Sequence, residues 1–319
     1  MQTDLSTGLD IRALAPSWRL SLEARNLSDQ TVYIYGRGLD VFLDYLADSG
    51  APSTVGAIRR EHIEACLVWM GRETDERPAY SDSSIATFYD GIASFFRWAV
   101  AEGETDTDPM KNITKPMAPE RRIEFPTPAQ LRAVLDGIKG DDLEARRDRA
   151  IIRMFASTGL RLAELTNMRD EDVVIDGKRG EVKVLGKGRK PRTVSFGAKT
   201  ATALDRYLRV RRVHPNSEIP WFWISSKGRM TTSGIRQMIK RRGAAAGMPG
   251  LHPHQLRHFF AHEYLSGDEA NGILPGAPED LRHLLGHSST KMIQKTYGAA
   301  KAEDRANAMN RRLSPGERL

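Results

Sequence analysis

The feature that most limits how this chain can fold is a break between Gly103 and Pro128, where Pro109, Pro116, Pro119, Pro126 and Pro128 interrupt any apolar period. Each proline removes an amide donor and biases the residue before it away from the helical region, so no helix or central strand can run through the stretch. Residues 106–127 therefore read as a linker, and 319 residues are enough for one core on each side of it. Lys111, Lys115, Arg121 and Arg122 within it suit either a solvated connection or a path along a phosphate backbone.

Before the break, apolar residues recur at helical steps. Val32, Tyr35, Leu39, Phe42, Leu43 and Leu46 lie between Ser28, which suits a helix cap, and Gly50, which suits a stop. Ile63, Leu67 and Met70 mark a second helix, and Ile85, Phe88, Ile92, Phe95, Phe96 and Ala99 a third from about Ser81 to Ala101. Trp18 and Leu22 begin another before Asn26, whereas residues 1 to about 15 show little periodicity and the first 11 are assigned to a flexible lead. Helices with one apolar face each must bury those faces together, so 12–105 is expected to be a helical bundle with its own core. Its aromatics belong to that core rather than to a base-stacking surface. Cys66, the single cysteine, falls on the face of Ile63, Leu67 and Met70 and reads as a small buried residue.

After the break the helical pattern resumes at Pro128, and Ala150, Ile151, Met154 and Phe155 form an apolar face that ends at Thr158-Gly159. Arg161 opens a short helix beyond it. Val182, Val184, Val194 and Phe196 alternate with polar residues around Gly186-Lys187-Gly188-Arg189-Lys190-Pro191, which signals a strand, a turn and a strand. A basic helix is expected from Ala198 to Arg212, with Leu204, Tyr207, Leu208 and Val213 inward and Arg206, Arg209, Arg211 and Arg212 outward. Trp221 to Ile224 reads as core or strand, and Thr232 or Ser233 caps a helix with Arg236, Lys240, Arg241 and Arg242 outside. Further helices start at Pro253, Pro278, Lys291 and Ala302. The fold class is thus mainly α with a small β-hairpin or sheet, an α+β protein in two domains, the second spanning 128–319 with a tail helix.

Charge is divided unequally. The formal charge is +7, yet residues 1–105 carry 9 Lys and Arg against 16 Asp and Glu, leaving the excess of cations to the C-terminal part. Such a bias suits a polyanion or a solvated basic face. No window approaches the ~18 uninterrupted apolar residues of a spanning helix, and the first residues lack a basic segment followed by an apolar run. A cytoplasmic protein without membrane partners is expected.

The residues from His252 to Tyr297 carry the chemistry. His254 and Arg257, three apart behind Pro253, project from one face of a helix and together can grip an anion. Leu284-Leu285-Gly286-His287 and Thr296-Tyr297-Gly298 follow. Upstream, Thr158-Gly159-Leu160-Arg161-Leu162-Ala163-Glu164 supplies another arginine with a carboxylate one turn on.

These four segments, with the hairpin tip, resemble the signature boxes of the tyrosine recombinases, the phage-integrase family, in the same order over about 140 residues. The resemblance implies a helical core-binding, SAM-like first domain and a tyrosine-recombinase catalytic domain. It implies catalytic roles for Arg161, Lys187, His254, Arg257 and His287, with Tyr297 as nucleophile and Glu164 supporting Arg161. DNA contacts are expected from Arg189, Lys190, Arg192, Arg236, Lys240 and Arg241. Tyr297 stands ten residues after His287 where nine is common in the family. Double-stranded DNA, a homotetramer on paired sites and an accessory directionality or bending protein are the implied partners; no cofactor or metal is implied.

Other readings use the same residues. A type IB topoisomerase cuts and reseals one strand with a similar constellation, and a non-catalytic DNA-binding protein would keep only the basic surface. His254, His258 and His262 recur every four residues, a ligand-like spacing, but no His-Glu-x-x-His motif is present.

Overall fold

The computed structural model describes residues 8–74, 77–119, 124–186, 190–267 and 274–286. The chain divides into two compact units, Met1–Arg121 and Arg122–Leu319. The expected helices at Lys291–Tyr297 and Ala302–Arg312, and Arg121 and Arg122 of the linker, lie outside the described residues.

The first unit is helical: α1 (Ile11–Ala24), α2 (Asp29–Ser49), α3 (Arg60–Met70) and α4 (Asp82–Ala101). The Ser28 hydroxyl accepts from the Thr31 amide at 3.2 Å and opens α2, as Ser81 does for α4 at 3.3 Å. Gly50 ends α2 in the left-handed region. The unstructured lead read from the sequence is shorter than residue 15. Asp10 caps α1 through the Arg12 amide at 2.7 Å, and Ile11, Leu14 and Ala15 are already buried. Pro16 sits inside that helix, where its missing donor is outweighed by the burial of Ile11, Leu14, Trp18 and Leu22 on either side.

Helices α2 and α4 cross at glycines. A Cβ on Gly91 would lie 2.6 Å from the Tyr35 carbonyl, and one on Gly38 would lie 2.8 Å from that of Phe88. Only hydrogen at both positions lets the backbones approach so closely, and Trp18, Phe42, Phe95 and Phe96 fill the space around the crossing with edge-on ring contacts. Cys66 is fully buried in this core, and burial pushes its thiol up to about 12.

The second unit contains α5 (Pro128–Gly137), α6 (Leu143–Thr158), α7 (Leu162–Thr166), β1 (Val173–Asp176), β2 (Arg179–Leu185), β3 (Pro191–Phe196), α8 (Ala198–Arg212), β4 (Ile224–Ser225), β5 (Gly228–Arg229), α9 (Thr232–Ala245), α10 (Pro253–Ser266) and α11 (Pro278–Leu285). The hairpin expected from the valine alternation has a third strand, in the order β1-β2-β3, all antiparallel. Its signal was the Asp176-Gly177 turn after Val173-Val174-Ile175, with Gly177 at φ 55. Val182 faces Val194 across the β2–β3 ladder and both are buried in the larger core beside α6 and α8.

Four local expectations are corrected. Thr231, not Thr232 or Ser233, caps α9, accepting from the Gly234 amide at 3.1 Å. Val213 is 85% exposed, because the chain leaves α8 there. Arg211 is buried instead of solvated, since its guanidinium donates to the carbonyls of Ser217, Ile219, Trp221 and Phe222 and pairs with Asp170 at 2.9 Å. Arg242, also read as outward, donates through Nε to the fully buried Asp148 at 2.9 Å. No helix among the described residues is long and apolar enough to cross a membrane.

Candidate active site

Helix α6 ends at Thr158, and Gly159 turns the chain at φ 59. Besides the backbone angle, space demands glycine there: a Cβ would fall 2.3 Å from a Phe260 ring carbon and 2.8 Å from a Leu285 methyl. The turn leads through buried Leu160 to Arg161, which stands at the start of α7. The Glu164 carboxylate receives the Arg161 amide at 2.8 Å and its guanidinium at 2.9 Å, so one side chain both caps the helix and aims the arginine.

Glu164 has a second cationic partner. Arg192, on β3, donates from both terminal nitrogens to the two carboxylate oxygens, each at 2.8 Å. Burial works against the ionised carboxylate, but the bonds from Arg192 and Arg161 outweigh it and hold Glu164 below its usual range. Arg192 was expected as a DNA contact; three of its five donors are engaged inside the protein, the third being Nε on the Leu284 carbonyl at 2.9 Å.

Pro253 occupies the first turn of α10, as expected, and places His254 and Arg257 on the wall of one cavity. Arg257 is 4% exposed and donates to the carbonyls of Gly159 at 2.6 Å and Leu285 at 2.8 Å. Arg161 reaches the Gly286 carbonyl at 2.9 Å. The last carbonyls of a helix have no partner within it and carry the negative end of its dipole. Here Leu284, Leu285 and Gly286, successive residues at the end of α11, receive Arg192, Arg257 and Arg161 in turn.

The cavity has a volume of about 960 Å³ and takes in Arg161, Lys190, Arg192, Arg236, Arg257 and Arg282 together with His252, His254 and His283. No carboxylate lines it among the described residues. Burial lowers the pKa of His254, and the positive charge of Arg257 and proximity to His252 lower it further, so its imidazole is neutral near pH 7. Its ring meets that of His258 edge-on at 4.2 Å between centroids. Among the described residues no three His, Cys, Asp or Glu side chains converge as metal ligands.

The structure thus brings Arg161, His254 and Arg257 together with Lys190, Arg192 and Arg236. Lys240 and Arg241 do not line the cavity; they are exposed farther along α9, with Arg241 3.9 Å from Asp148. Lys187, Arg189, His287 and Tyr297 lie outside the described residues. Sequence reasoning passed over His252, Arg282 and His283 as cavity residues. Only their nearness to the Pro253 and Gly286 motifs could have marked them, since charges on an exposed helix have many meanings.

Comparison with known proteins gives a consistent result. The family model described as the phage integrase family matches residues 124–304, and that of the phage integrase N-terminal SAM-like domain matches 18–103. Tyrosine recombinase XerC of Ralstonia pickettii is 31% identical over 287 residues, covering 85% of this chain and 84% of that relative. Tyrosine recombinase XerC 1 of Ralstonia nicotianae is 32% identical with the same coverage. Among solved structures, the XerH site-specific recombinase bound to a palindromic difH substrate superposes with a TM-score of 0.69 at 19% identity, covering 90% of this chain and 80% of that one. A lambda integrase dimer bound to a core site gives 0.68 at 17% identity, covering 91% and 78%.

Proposed function

Because this chain belongs to the phage integrase family and is a site-specific tyrosine recombinase, we propose that the arginine-lined cavity of its second unit holds the scissile phosphate of double-stranded DNA. The single observation that carries this reading is the wall of six cationic side chains with no carboxylate among the described lining residues. Two guanidiniums, Arg161 and Arg257, offer fixed forks to the non-bridging oxygens and neutralise the charge that gathers in a five-coordinate transition state.

Tyr297 attacks phosphorus through its phenolic oxygen. The phenol has a pKa near ~10 in water and needs a base or a cationic setting to react; His254, kept neutral, takes the proton. The bond to the 5′ oxygen breaks as Lys187 supplies a proton to it, leaving a 3′-phosphotyrosyl ester and a free 5′ hydroxyl. His287 adds a further donor to the phosphate. A 5′ hydroxyl from another strand reverses the attack, so two successive exchanges within a tetramer holding two DNA sites pass through a four-way junction. In this reading Lys190, Arg236, Lys240, Arg241 and Arg189 add cationic surface to the DNA side, and an accessory bending or directionality protein selects the direction. The domain limits in this reading are 12–105 for the core-binding domain and 128–319 for the catalytic domain, with 106–127 as the linker. The cytoplasm is where that DNA is met.

The test uses a nicked suicide duplex carrying the site that the wild-type chain cleaves, mapped first on the genomic sequence flanking its gene. Tyr297→Phe is expected to bind this duplex as wild type does and to form no covalent complex; continued trapping would refute the nucleophile. Cleavage is also expected to fall as pH drops through the lowered pKa of His254, because a protonated imidazole cannot accept the phenolic proton. That acidic limb therefore lies below the ordinary value of 6.5 for histidine. It should vanish from the residual rate of His254→Gln, and an unchanged limb removes His254 from the role.

A further inference from the structure

We propose that Arg192 is a positioning residue for strand cleavage: it acts through Glu164 to hold the Arg161 fork and ties strand β3 to the end of α11. The proposal rests on the reading of Arg161 as a phosphate ligand.

Three observations on separate elements converge. First, Glu164 is shared. Its side chain is 5% exposed, and its two oxygens carry Arg161 and Arg192 together, so the pose of one arginine depends on the other. Removing Arg192 leaves a buried carboxylate with Arg161 as its remaining guanidinium partner, and Arg161 is then free to follow the carboxylate into a closer pair. A guanidinium drawn onto its counter-ion is a weaker phosphate ligand.

Second, Arg192, Arg257 and Arg161 are spaced by three successive backbone carbonyls at Leu284, Leu285 and Gly286. A turn of backbone is stiff, so it sets the separation of the two phosphate-binding forks. Arg192 anchors the first carbonyl of the three. Third, Arg192 is directly paired with Val184 across the β2–β3 ladder, two residues from Lys190, which lines the cavity together with Gly186. One side chain thereby joins the hairpin, the carboxylate and α11.

The alternative is that Arg192 is mainly a DNA phosphate contact. Its 13% side-chain exposure and three internal bonds in two directions speak for the positioning role. Those bonds need a planar fork, and a lysine cannot make them.

The test compares the full chain with Arg192→Gln and Arg192→Lys, measuring affinity for the mapped duplex and the single-turnover cleavage rate of the bound complex. Losing an outer partner of a functional side chain typically costs roughly 10–100-fold, and that slowing is expected for both variants with affinity within about threefold of wild type. Added to Glu164→Gln, Arg192→Gln is expected to slow cleavage by less than about threefold, because the two residues act as one unit. Wild-type cleavage by either variant, weaker binding with an unchanged rate in the bound complex, or full additivity with Glu164→Gln overturns the proposal. Loss of folding by both variants also overturns it, making Arg192 a stability residue. Failure of the wild-type chain to trap DNA would instead strike the reading of the cavity.

Discussion

The two units build their interiors from different materials. In Met1–Arg121 the buried polar side chains among the described residues are Ser94 and Thr105; in Arg122–Leu319 they include Arg147, Asp148, Glu164, Arg211, Arg257 and His258. The first unit is held by shape, with aromatic rings around a glycine crossing. The second keeps cations inside by matching them to backbone carbonyls as well as to carboxylates, as where buried Arg147 pairs with Asp148 at 2.8 Å. Arg211 donates to four carbonyls, and carbonyls of Gly159 and Leu285 hold Arg257. This choice of partner has a consequence for function. A carboxylate would neutralise the arginine it fixes, whereas a carbonyl satisfies the donor and leaves the positive charge for an incoming anion.

The sharpest way to break this contrast is Arg211→Met, which keeps a long apolar stem and deletes the fork. Four carbonyls and Asp170 lose their donor, and removing one partner of a buried charged network costs about 3–5 kcal/mol. Urea unfolding of the full chain, followed by hydrogen exchange in α8 and in the strand at Ile224, measures it. A cost below about 1 kcal/mol would mean that burial of the cation is incidental.

Gly91→Leu asks the matching question of the first unit. Overpacking typically costs about 1–3 kcal/mol, and the upper end is expected because the obstructing atom, the Tyr35 carbonyl, belongs to the backbone. Faster hydrogen exchange should appear in α2 and α4, while the cleavage rate of DNA already bound stays near wild type. A slowed chemical step with intact α2 and α4 would show that the two units are less separable in function than their interiors suggest.

The same contrast explains how much was legible in advance. Apolar periodicity and capping residues gave the helices of both units, because an apolar face and a serine cap leave local marks at Ser28 and Ser81. The clustered motifs gave Arg161, His254 and Arg257 for the same reason: the Thr158-Gly159 turn and Pro253 are local devices. What escaped was non-local. Nothing near Arg211 announces that the loop from Ser217 to Phe222 folds back to receive it, and nothing near Arg192 announces Glu164, 28 residues earlier. An exposed and a buried arginine look alike on a helix until the carbonyls that meet them are placed.

The smallest effect is the most discriminating control. Arg19→Met makes in the first unit the same substitution as Arg211→Met in the second. Arg19 pairs with Asp40 at 2.8 Å, but both side chains are about two-fifths exposed, at 42% and 41%. An exposed pair gains little, because water solvates both charges when they part and salt screens them when they meet; it is worth about 0.2–1 kcal/mol. The expected loss is therefore below about 1 kcal/mol and shrinks further at high salt. The same urea titration, run at low and high ionic strength, reads both arginines. Equal losses would place the difference between the units in something other than where their cations sit, whereas a several-fold gap ties it to the carbonyls and Asp170 around buried Arg211.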